Sequence, residues 1–159
     1  ENVKLVLVGD GIEREKLEAL TKKHSLEDRV IFTGNVERTV VSTYRFAADI
    51  FVGPSRSEGL GHAFLSAMAC TLPVVTTQVG GIADFLFDAK RNPDKETTGW
   101  AVDPDSPEQI AQAVTYIMEH PDEVDVVVAR ARKMVEEQFD WDVIAKDMQE
   151  KVFNKVINT

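Results

Sequence analysis

The 159-residue sequence has little cysteine and histidine, few basic residues and no long apolar run. Its single cysteine, Cys70, has no partner within the chain for a disulfide, which favours a reducing, cytoplasmic location. The three histidines are scattered, and no HxxxH or CxxC spacing occurs, so no metal site is predicted. The longest apolar runs, at residues 3–8 and 50–52, are strand-sized, so no transmembrane segment is expected.

The charge balance narrows the class of partner. With 27 acidic and 18 basic side chains the chain carries a formal net charge of −9. Phosphate backbones and anionic membranes need clustered Lys and Arg, so nucleic-acid binding is disfavoured. The acidic charge does not exclude a small phosphorylated ligand, because the binding of such a ligand depends on local backbone donors. The length and the 43% apolar content predict one globular domain over residues 1–159.

Short β-branched runs alternate with helical patterns along the chain. This alternation on short loops predicts an α/β fold with a Rossmann-like parallel sheet flanked by helices. The run at 3–8 is apolar on both faces, the pattern of a buried strand. Strands are predicted at 3–8, 29–32, 50–52, 73–77 and 99–102. Helices are predicted at 12–23, 36–48, 62–70, 107–120, 121–139 and 141–156, with a short helix at 79–87. Val40 is predicted to face inward, and Trp100 and Trp141 are predicted to pack in the core or against another domain.

Parallel sheets bind ligands at the carboxyl ends of their strands. The segments expected to meet at that edge are 9–11, 33–36, 53–62, 77–81 and 102–104. Gly9 and Gly11 form a tight strand-to-helix turn, but Arg14 occupies the position of the third glycine of a dinucleotide fingerprint, so NAD binding is disfavoured. Asp103 and Asp105 have a metal-like spacing, but Pro107 after them favours helix capping.

The stretch SRSEGLG at 55–61 is the most informative of these segments. Glycines near a helix N-terminus expose backbone N–H groups that hold a phosphate or sugar oxygen. The Glu58 carboxylate suits sugar hydroxyls, which donate hydrogen bonds. The alternative is that Glu58 is only a favourable charge at the helix N-terminus. His62 is either a ligand contact or an exposed loop histidine, and both interpretations stay open.

Taken in order, these motifs resemble the C-terminal, donor-binding domain of a GT-B glycosyltransferase, within the retaining group called family 4. The most specific motif is ADIFVGPSRSEGLGHAFLSAMAC at 48–70. The others are VKLVLVGDG at 3–11, RVIFTGNV at 29–36, PVVTTQVGGIADFL at 73–86, TGWAVDPDSPEQIAQAV at 98–114 and FDWDVIAKDM at 139–148. The resemblance implies transfer of a hexose from a nucleoside-diphosphate sugar with retention, without a cofactor or an obligatory metal.

The resemblance also implies residue roles. Glu58 matches the first acid of the family's E-x7-E motif, which contacts the donor sugar and is the implied catalytic residue. The implied donor-binding residues match positions in the loops that bind the donor in this family. Those near the sugar and diphosphate are Gly59, Leu60, Gly61, His62 and Ser66; those near the nucleobase are Gly34, Asn35 and Val36; those at the nucleotide end are Gly9 and Gly11.

The chain departs from the family pattern at three places. Ser66 replaces the second acid of E-x7-E, so weaker nucleotide binding is expected, by about 1–3 kcal/mol. Thr71 stands where the family commonly has glycine, and threonine is strained there if the position needs a positive φ. The family domain begins with a further strand and helix, so we expect a partial domain that also lacks its N-terminal acceptor-binding partner domain. Helix 141–156 resembles the crossover helix.

Two readings of function therefore stand together. The first is a glycosyltransferase whose donor-binding half is this chain, inactive in isolation and cytoplasmic, with membrane contact through the absent domain. The second is a degenerate, non-catalytic GT-B domain kept for scaffolding or subunit contacts, with Ser66 as its sign. Ser66 as an engineered or sequencing change is a further option. A sugar-nucleotide epimerase fits residues 55–70 less well.

Overall fold

A computed structural model of the chain describes residues 3–157, which form two compact units divided between Ala47 and Ala48. Both have strands in parallel and helices beside them, which confirms the α/β class. The first unit contains a two-stranded sheet and the second a three-stranded sheet. No helix among residues 3–157 is long and apolar enough to cross a membrane.

The first unit is a parallel strand pair with two helices. Its elements are β1 (Leu5–Val8), α1 (Arg14–Lys23), β2 (Val30–Gly34) and α2 (Arg38–Phe46). The register pairs Leu5 with Val30 and Val8 with Gly34, with an irregularity after Leu7. Both helices start two residues later than the sequence predicts.

The prediction that β1 is buried is wrong for this chain. Val6 and Val8 remain 42% and 40% exposed, and no residue between 3 and 47 is buried. Two strands are too few to enclose both faces of a sheet. The helices show the same outcome: Ile12 is fully exposed before α1, and Val40, predicted to face inward, is 42% exposed.

The second unit contains the core. Its three strands, β3 (Phe51–Gly53), β4 (Val74–Thr77) and β5 (Trp100–Val102), are parallel with β4 in the middle. The helices are α3 (His62–Ala69), α4 (Pro107–Glu119), α5 (Pro121–Gln138), α6 (Trp141–Met148) and α7 (Asn154–Ile157). A 3-10 helix spans Gly80–Asp84, and a π-helical turn spans Gln149–Phe153.

Every residue of β4 is buried, because it has a strand on each side and a hydrophobic cluster on each face. Val74 belongs to one cluster and Val75 to the other, as the alternation of side chains along a strand requires. The first cluster joins α3, the 3-10 helix and α5. The second joins β5, α4 and the start of α5, and Trp100 is buried there as predicted for a packing residue.

The C-terminal helix differs from its prediction in two ways. The predicted single helix over 141–156 is divided into α6, the π-helical turn and α7. Trp141, predicted to pack in the core or against another domain, is 73% exposed at the start of α6 and so does not belong to the core of the described residues. Asp140 caps this helix by accepting a hydrogen bond from the Asp142 amide at 2.8 Å, so the local sequence starts the helix without help from the core.

Candidate functional site

The loop after β3 is fastened to the end of β4 by two buried threonines. Thr76 Oγ1 donates to the Gly53 carbonyl at 2.7 Å, and Thr77 Oγ1 donates to the Ser55 carbonyl at 2.5 Å. Both threonines have no exposed surface. The Ser55 amide also donates to the Gly53 carbonyl, at 2.8 Å. The loop that carries SRSEGLG is therefore fixed to the centre of the sheet.

Glu58 is half-buried in this loop, and its carboxylate has a partner there. Ser55 Oγ donates to Oε1 of Glu58 at 2.9 Å. The N-cap of α3 is Gly61, and no side chain bonds to the first amides of that helix. The carboxylate is therefore held by a neighbouring hydroxyl and does not cap α3.

Gly61 is the residue that lets the loop turn into α3. Its φ is +82°, and an added Cβ would lie 3.0 Å from Phe64 and 3.2 Å from Ile82. Both the left-handed backbone and the tight space require glycine there. Leu60 before it is 38% exposed, and His62 after it is exposed at the first position of α3. The loop tip therefore presents main chain and His62 to solvent.

The first two residues of the 3-10 helix at Gly80–Asp84 contact the same loop through their main chain. The Gly81 amide donates to the Gly59 carbonyl at 2.8 Å. An added Cβ on Gly80, whose φ is +55°, would lie 1.9 Å from the Glu58 carbonyl oxygen. An added Cβ on Gly59 would meet nothing within 4 Å. Glycines 80 and 81 therefore permit the close contact, while Gly59 faces open space.

Ser66 and His62 share the exposed face of α3, four residues apart. Ser66 Oγ donates to the His62 carbonyl at 2.8 Å, so its hydroxyl is engaged with its own helix. A hydroxyl bonded to a carbonyl one turn earlier is a common arrangement for serine inside a helix. Thr71, after α3, has a φ of +59°, which confirms the predicted strain at that position.

Carboxylates and arginines pair at the carboxyl end of β5. Asp105 accepts two hydrogen bonds from Arg56, at 2.9 and 2.6 Å, and this raises the pKa of the guanidinium. Asp103 exchanges hydrogen bonds with Gln109 and pairs with Arg91 at 2.8 Å, and these contacts lower its pKa. The predicted capping of α4 is wrong, because these partners engage both aspartates.

A cavity of about 260 Å³ lies at the same end of the second unit, lined by Pro54, Asp105, Ser106, Pro107 and Ile110. Within the part of the chain that the structure describes, no cluster of three or more His, Cys, Asp or Glu side chains is arranged to hold a metal ion.

In the first unit, the ends of β1 and β2 meet at two of the predicted glycines. The Gly9 amide donates to the Gly34 carbonyl at 3.1 Å, and their φ angles are +137° and +67°. Gly9 and Gly11 line a cavity of about 300 Å³ together with Phe32. Asn35 is exposed and Val36 half-buried beyond β2.

The cation that lines this cavity is already paired. Arg14 bonds to Glu18 at 2.8 Å and to Asp10 at 3.1 Å, and these contacts raise its pKa. The guanidinium lies 5.9 Å from the centre of the Phe32 ring. A ligand phosphate here would compete with two carboxylates for Arg14, whereas a neutral, planar ring would not.

The structure thus brings the predicted residues together in two groups. One is the glycine pair 9 and 34 with its neighbours in the first unit; the other is the Glu58 loop with the start of α3 in the second. Sequence reasoning placed Ser55, Thr77, Gly80 and Gly81 in segments expected to meet at the sheet edge but gave none of them a role in the site. The segments 53–62 and 77–81 both appeared among the expected strand ends, and that adjacency was the available signal.

Comparison with known proteins gives three findings. Residues 1–134 match the family described as Glycosyl transferases group 1. An uncharacterized glycosyltransferase of Methanocaldococcus jannaschii is 34% identical over 92% of this chain and 36% of that protein. A GDP-mannose-dependent alpha-(1-6)-phosphatidylinositol monomannoside mannosyltransferase of Mycobacterium tuberculosis is 32% identical over 89% of this chain and 37% of that protein.

A solved structure gives a fold match of the same kind. Anabaena HepE, crystallised in complex with UDP, aligns with a TM-score of 0.84 and 23% identity over 96% of this chain and 41% of that chain. At that identity the likeness concerns the fold alone. The chain spans 36% to 37% of the length of the curated relatives described above.

Proposed function

The chain belongs to the glycosyl transferases group 1 family, and on that premise we propose that its full-length protein moves a sugar from a nucleoside-diphosphate donor to an acceptor, with this chain as the donor-binding half. The named relative from Mycobacterium tuberculosis is GDP-mannose-dependent, and the Anabaena neighbour holds UDP. Both support a nucleotide donor as the ligand class.

The observation that carries the proposal is the held carboxylate of Glu58. It is fixed by Ser55 in a loop whose next residues, Gly59 to Gly61, offer main chain at the start of α3. A carboxylate accepts hydrogen bonds from sugar hydroxyls, while amides at a helix start stabilise a phosphate. Both groups lie in one short loop, which suits a ligand that carries a sugar and a diphosphate side by side.

The proposal includes a hexose as the transferred sugar and retention of its anomeric configuration. It assigns the charge of the departing diphosphate to backbone amides and to cations from outside this chain, with no cofactor and no obligatory metal. A sugar with oxocarbenium-like charge gains most from groups already oriented before the reaction. Acceptor binding is assigned to a partner domain, so the isolated chain should have no transferase activity. A cytoplasmic location and membrane contact through that domain complete the proposal.

The nucleotide end is assigned to the first unit. Gly9, Gly11 and the cavity beside Phe32 offer an apolar, planar surface at the end of β1. Gly34, Asn35 and Val36 follow β2 and are assigned to the nucleobase. A base carries no formal charge, so the acidic surroundings of Arg14 do not oppose it.

The test is Glu58→Gln in the full-length protein, assayed with a panel of UDP-, GDP- and ADP-sugars. Loss of the charge should reduce kcat about a hundredfold or more, because the carboxylate acts on the reacting sugar. The free energy of unfolding should change by about 0.5 kcal/mol or less, since the side chain is only half-buried. Glu119→Gln, an exposed charge in the last turn of α4, is the matched control. Unchanged turnover for Glu58→Gln would remove Glu58 from the mechanism.

Ser66 supports the alternative of a non-catalytic domain. Its hydroxyl bonds to the His62 carbonyl, and a neutral, short side chain engaged with its helix is a poor ligand for ribose hydroxyls.

This alternative is tested by measuring the binding of UDP, GDP and ADP with ligand-detected NMR. Ser66→Glu in the full-length protein should tighten binding by about 1–3 kcal/mol, because a carboxylate forms charge-assisted hydrogen bonds. Binding of one nucleotide by the unsubstituted protein would favour a working donor site. Binding by Ser66→Glu alone would favour the non-catalytic domain.

A further inference from the structure

The hydrogen bonds around Glu58 form a chain that begins in the core of the sheet. Thr77, the last residue of β4, is fully buried and donates from Oγ1 to the Ser55 carbonyl at 2.5 Å. Ser55 donates in turn from Oγ to Oε1 of Glu58 at 2.9 Å. Because the Ser55 amide is also bonded, to Gly53 at 2.8 Å, its main chain is held on both sides while its hydroxyl meets the carboxylate.

We propose that Ser55 is a positioning residue for Glu58 and that Thr77 fixes the place of Ser55. The proposal rests on the function given above, in which Glu58 meets the donor sugar. A half-exposed glutamate samples several rotamers, and a bond from a fixed hydroxyl favours one of them. One oxygen of the carboxylate is then occupied, while its remaining lone pairs accept from ligand hydroxyls.

A separate contact holds the main chain of Glu58. Its carbonyl oxygen lies where Gly80 would carry a Cβ, so the loop rests directly on the 3-10 helix. Gly81 adds a main-chain bond to Gly59 at 2.8 Å. Removing the Ser55 hydroxyl therefore frees the Glu58 side chain without releasing the loop. This separation distinguishes an effect on orientation from an effect on folding.

The experiment is a double-mutant cycle in the full-length protein. Ser55→Ala is measured alone and together with Glu58→Gln, using the nucleotide sugar that the protein turns over. Ser55→Ala alone should lower kcat about tenfold to a hundredfold, the range expected for a lost hydrogen bond to a charged group. Affinity for the nucleoside diphosphate should stay within about twofold, because the carboxylate faces the sugar. In the Glu58→Gln background the same change should cost less than about twofold.

Ser57→Ala is the matched control, since it removes an exposed hydroxyl from the same loop. Thr77→Val and Thr77→Ser test the hydrogen bond from Thr77 to the Ser55 carbonyl. Valine keeps the shape of threonine and removes the donor, so kcat should fall; serine keeps the donor, so kcat should recover. A purely structural role for Thr77 would lower the melting temperature of both variants without this division in kcat.

Two results would overturn the proposal. One is an equal loss in both backgrounds of the cycle, which would mean that Ser55 acts independently of Glu58. The other is a crystal structure of Ser55→Ala in which the Glu58 carboxylate has not moved. The crystal structure decides the positioning role without any assay of activity: a displaced carboxylate supports it. Absence of turnover by the unsubstituted protein with every nucleotide sugar would instead refute the proposed function.

Discussion

Thr71 has a backbone conformation that glycine adopts more easily than threonine. It follows the C-cap of α3 with a φ of +59°. The Thr71 amide donates to the Met68 carbonyl at 3.0 Å, and the Leu72 amide donates to the Ala67 carbonyl at 3.1 Å. These two bonds define a Schellman motif, whose left-handed residue is usually glycine. We predict that Thr71→Gly stabilises the protein.

The change in the free energy of unfolding caused by Thr71→Gly is the difference between two opposing contributions. The left-handed conformation costs an L residue about 1–2 kcal/mol, and a β-branched residue is an outlier there. Glycine gives back about 0.5–1 kcal/mol through the greater freedom of the unfolded chain. The hydrogen bond from Thr71 to the Cys70 carbonyl, at 2.6 Å, is local and exposed, so its loss is minor. The free energy of unfolding should therefore rise by about 0.5–1 kcal/mol.

Scanning calorimetry of the full-length protein measures this change. A gain of that size should raise the melting temperature of the donor-binding half by about 1–4 °C. Thr71→Ala is the control, because it removes the branch and keeps the Cβ, and it should recover only part of the gain. Ser25→Gly tests the same motif after α1, where φ is +55° and the residue is not β-branched, so the gain should be smaller. An equal gain from Thr71→Ala and Thr71→Gly would refute the reasoning from φ.

Two further predictions concern the site. Gly80→Ala should destabilise the protein by more than about 2 kcal/mol, since its Cβ would lie 1.9 Å from the Glu58 carbonyl. Gly59→Ala, with open space around its Cβ, should leave the urea midpoint unchanged and weaken donor binding; equal midpoints for the two variants would contradict the packing. The lowered pKa of Asp103 means that its charged form stabilises the fold at neutral pH, and that this stability is lost as pH falls below the ordinary aspartate pKa of about 4. Asp103→Asn should therefore lower the melting temperature at pH 7 and progressively less as the pH falls below about 4, and a difference independent of pH would disprove the linkage.

Local patterns were sufficient to predict most elements. The helix predicted at 62–70 is α3 at His62–Ala69, and the strand predicted at 73–77 is β4 at Val74–Thr77. Both have strong signals in adjacent residues: a helix-forming apolar run after Gly61, and a β-branched run after Pro73. The burial of β1 could not be predicted in this way. An apolar pattern states what a strand is able to bury, whereas burial itself depends on neighbouring elements.

Part of the candidate site was likewise predictable. Glu58 and Gly61 stand in a loop between a strand and a helix. Their residue types indicated exposed backbone donors at Gly61 and, for Glu58, either a contact with a sugar or a helix-terminal charge. The roles of Ser55 and Thr77 could not be predicted from the sequence. Ser55 is three residues from Glu58, whose carboxylate it contacts. Thr77 bonds to the Ser55 carbonyl from 22 residues away, across the β3–β4 pairing.

The sequence by itself therefore determined the α/β class, the order of the elements and the loop that carries Glu58. These follow from short-range preferences of the backbone and from the spacing of apolar residues. Only the tertiary structure decided which groups meet that loop: Thr77 from β4, Gly80 from the 3-10 helix, and Asp105 beside Arg56, 49 residues apart. Such contacts depend on strand neighbours and on distances of a few ångströms between segments remote in the chain, and residue types in a sequence carry no such distances.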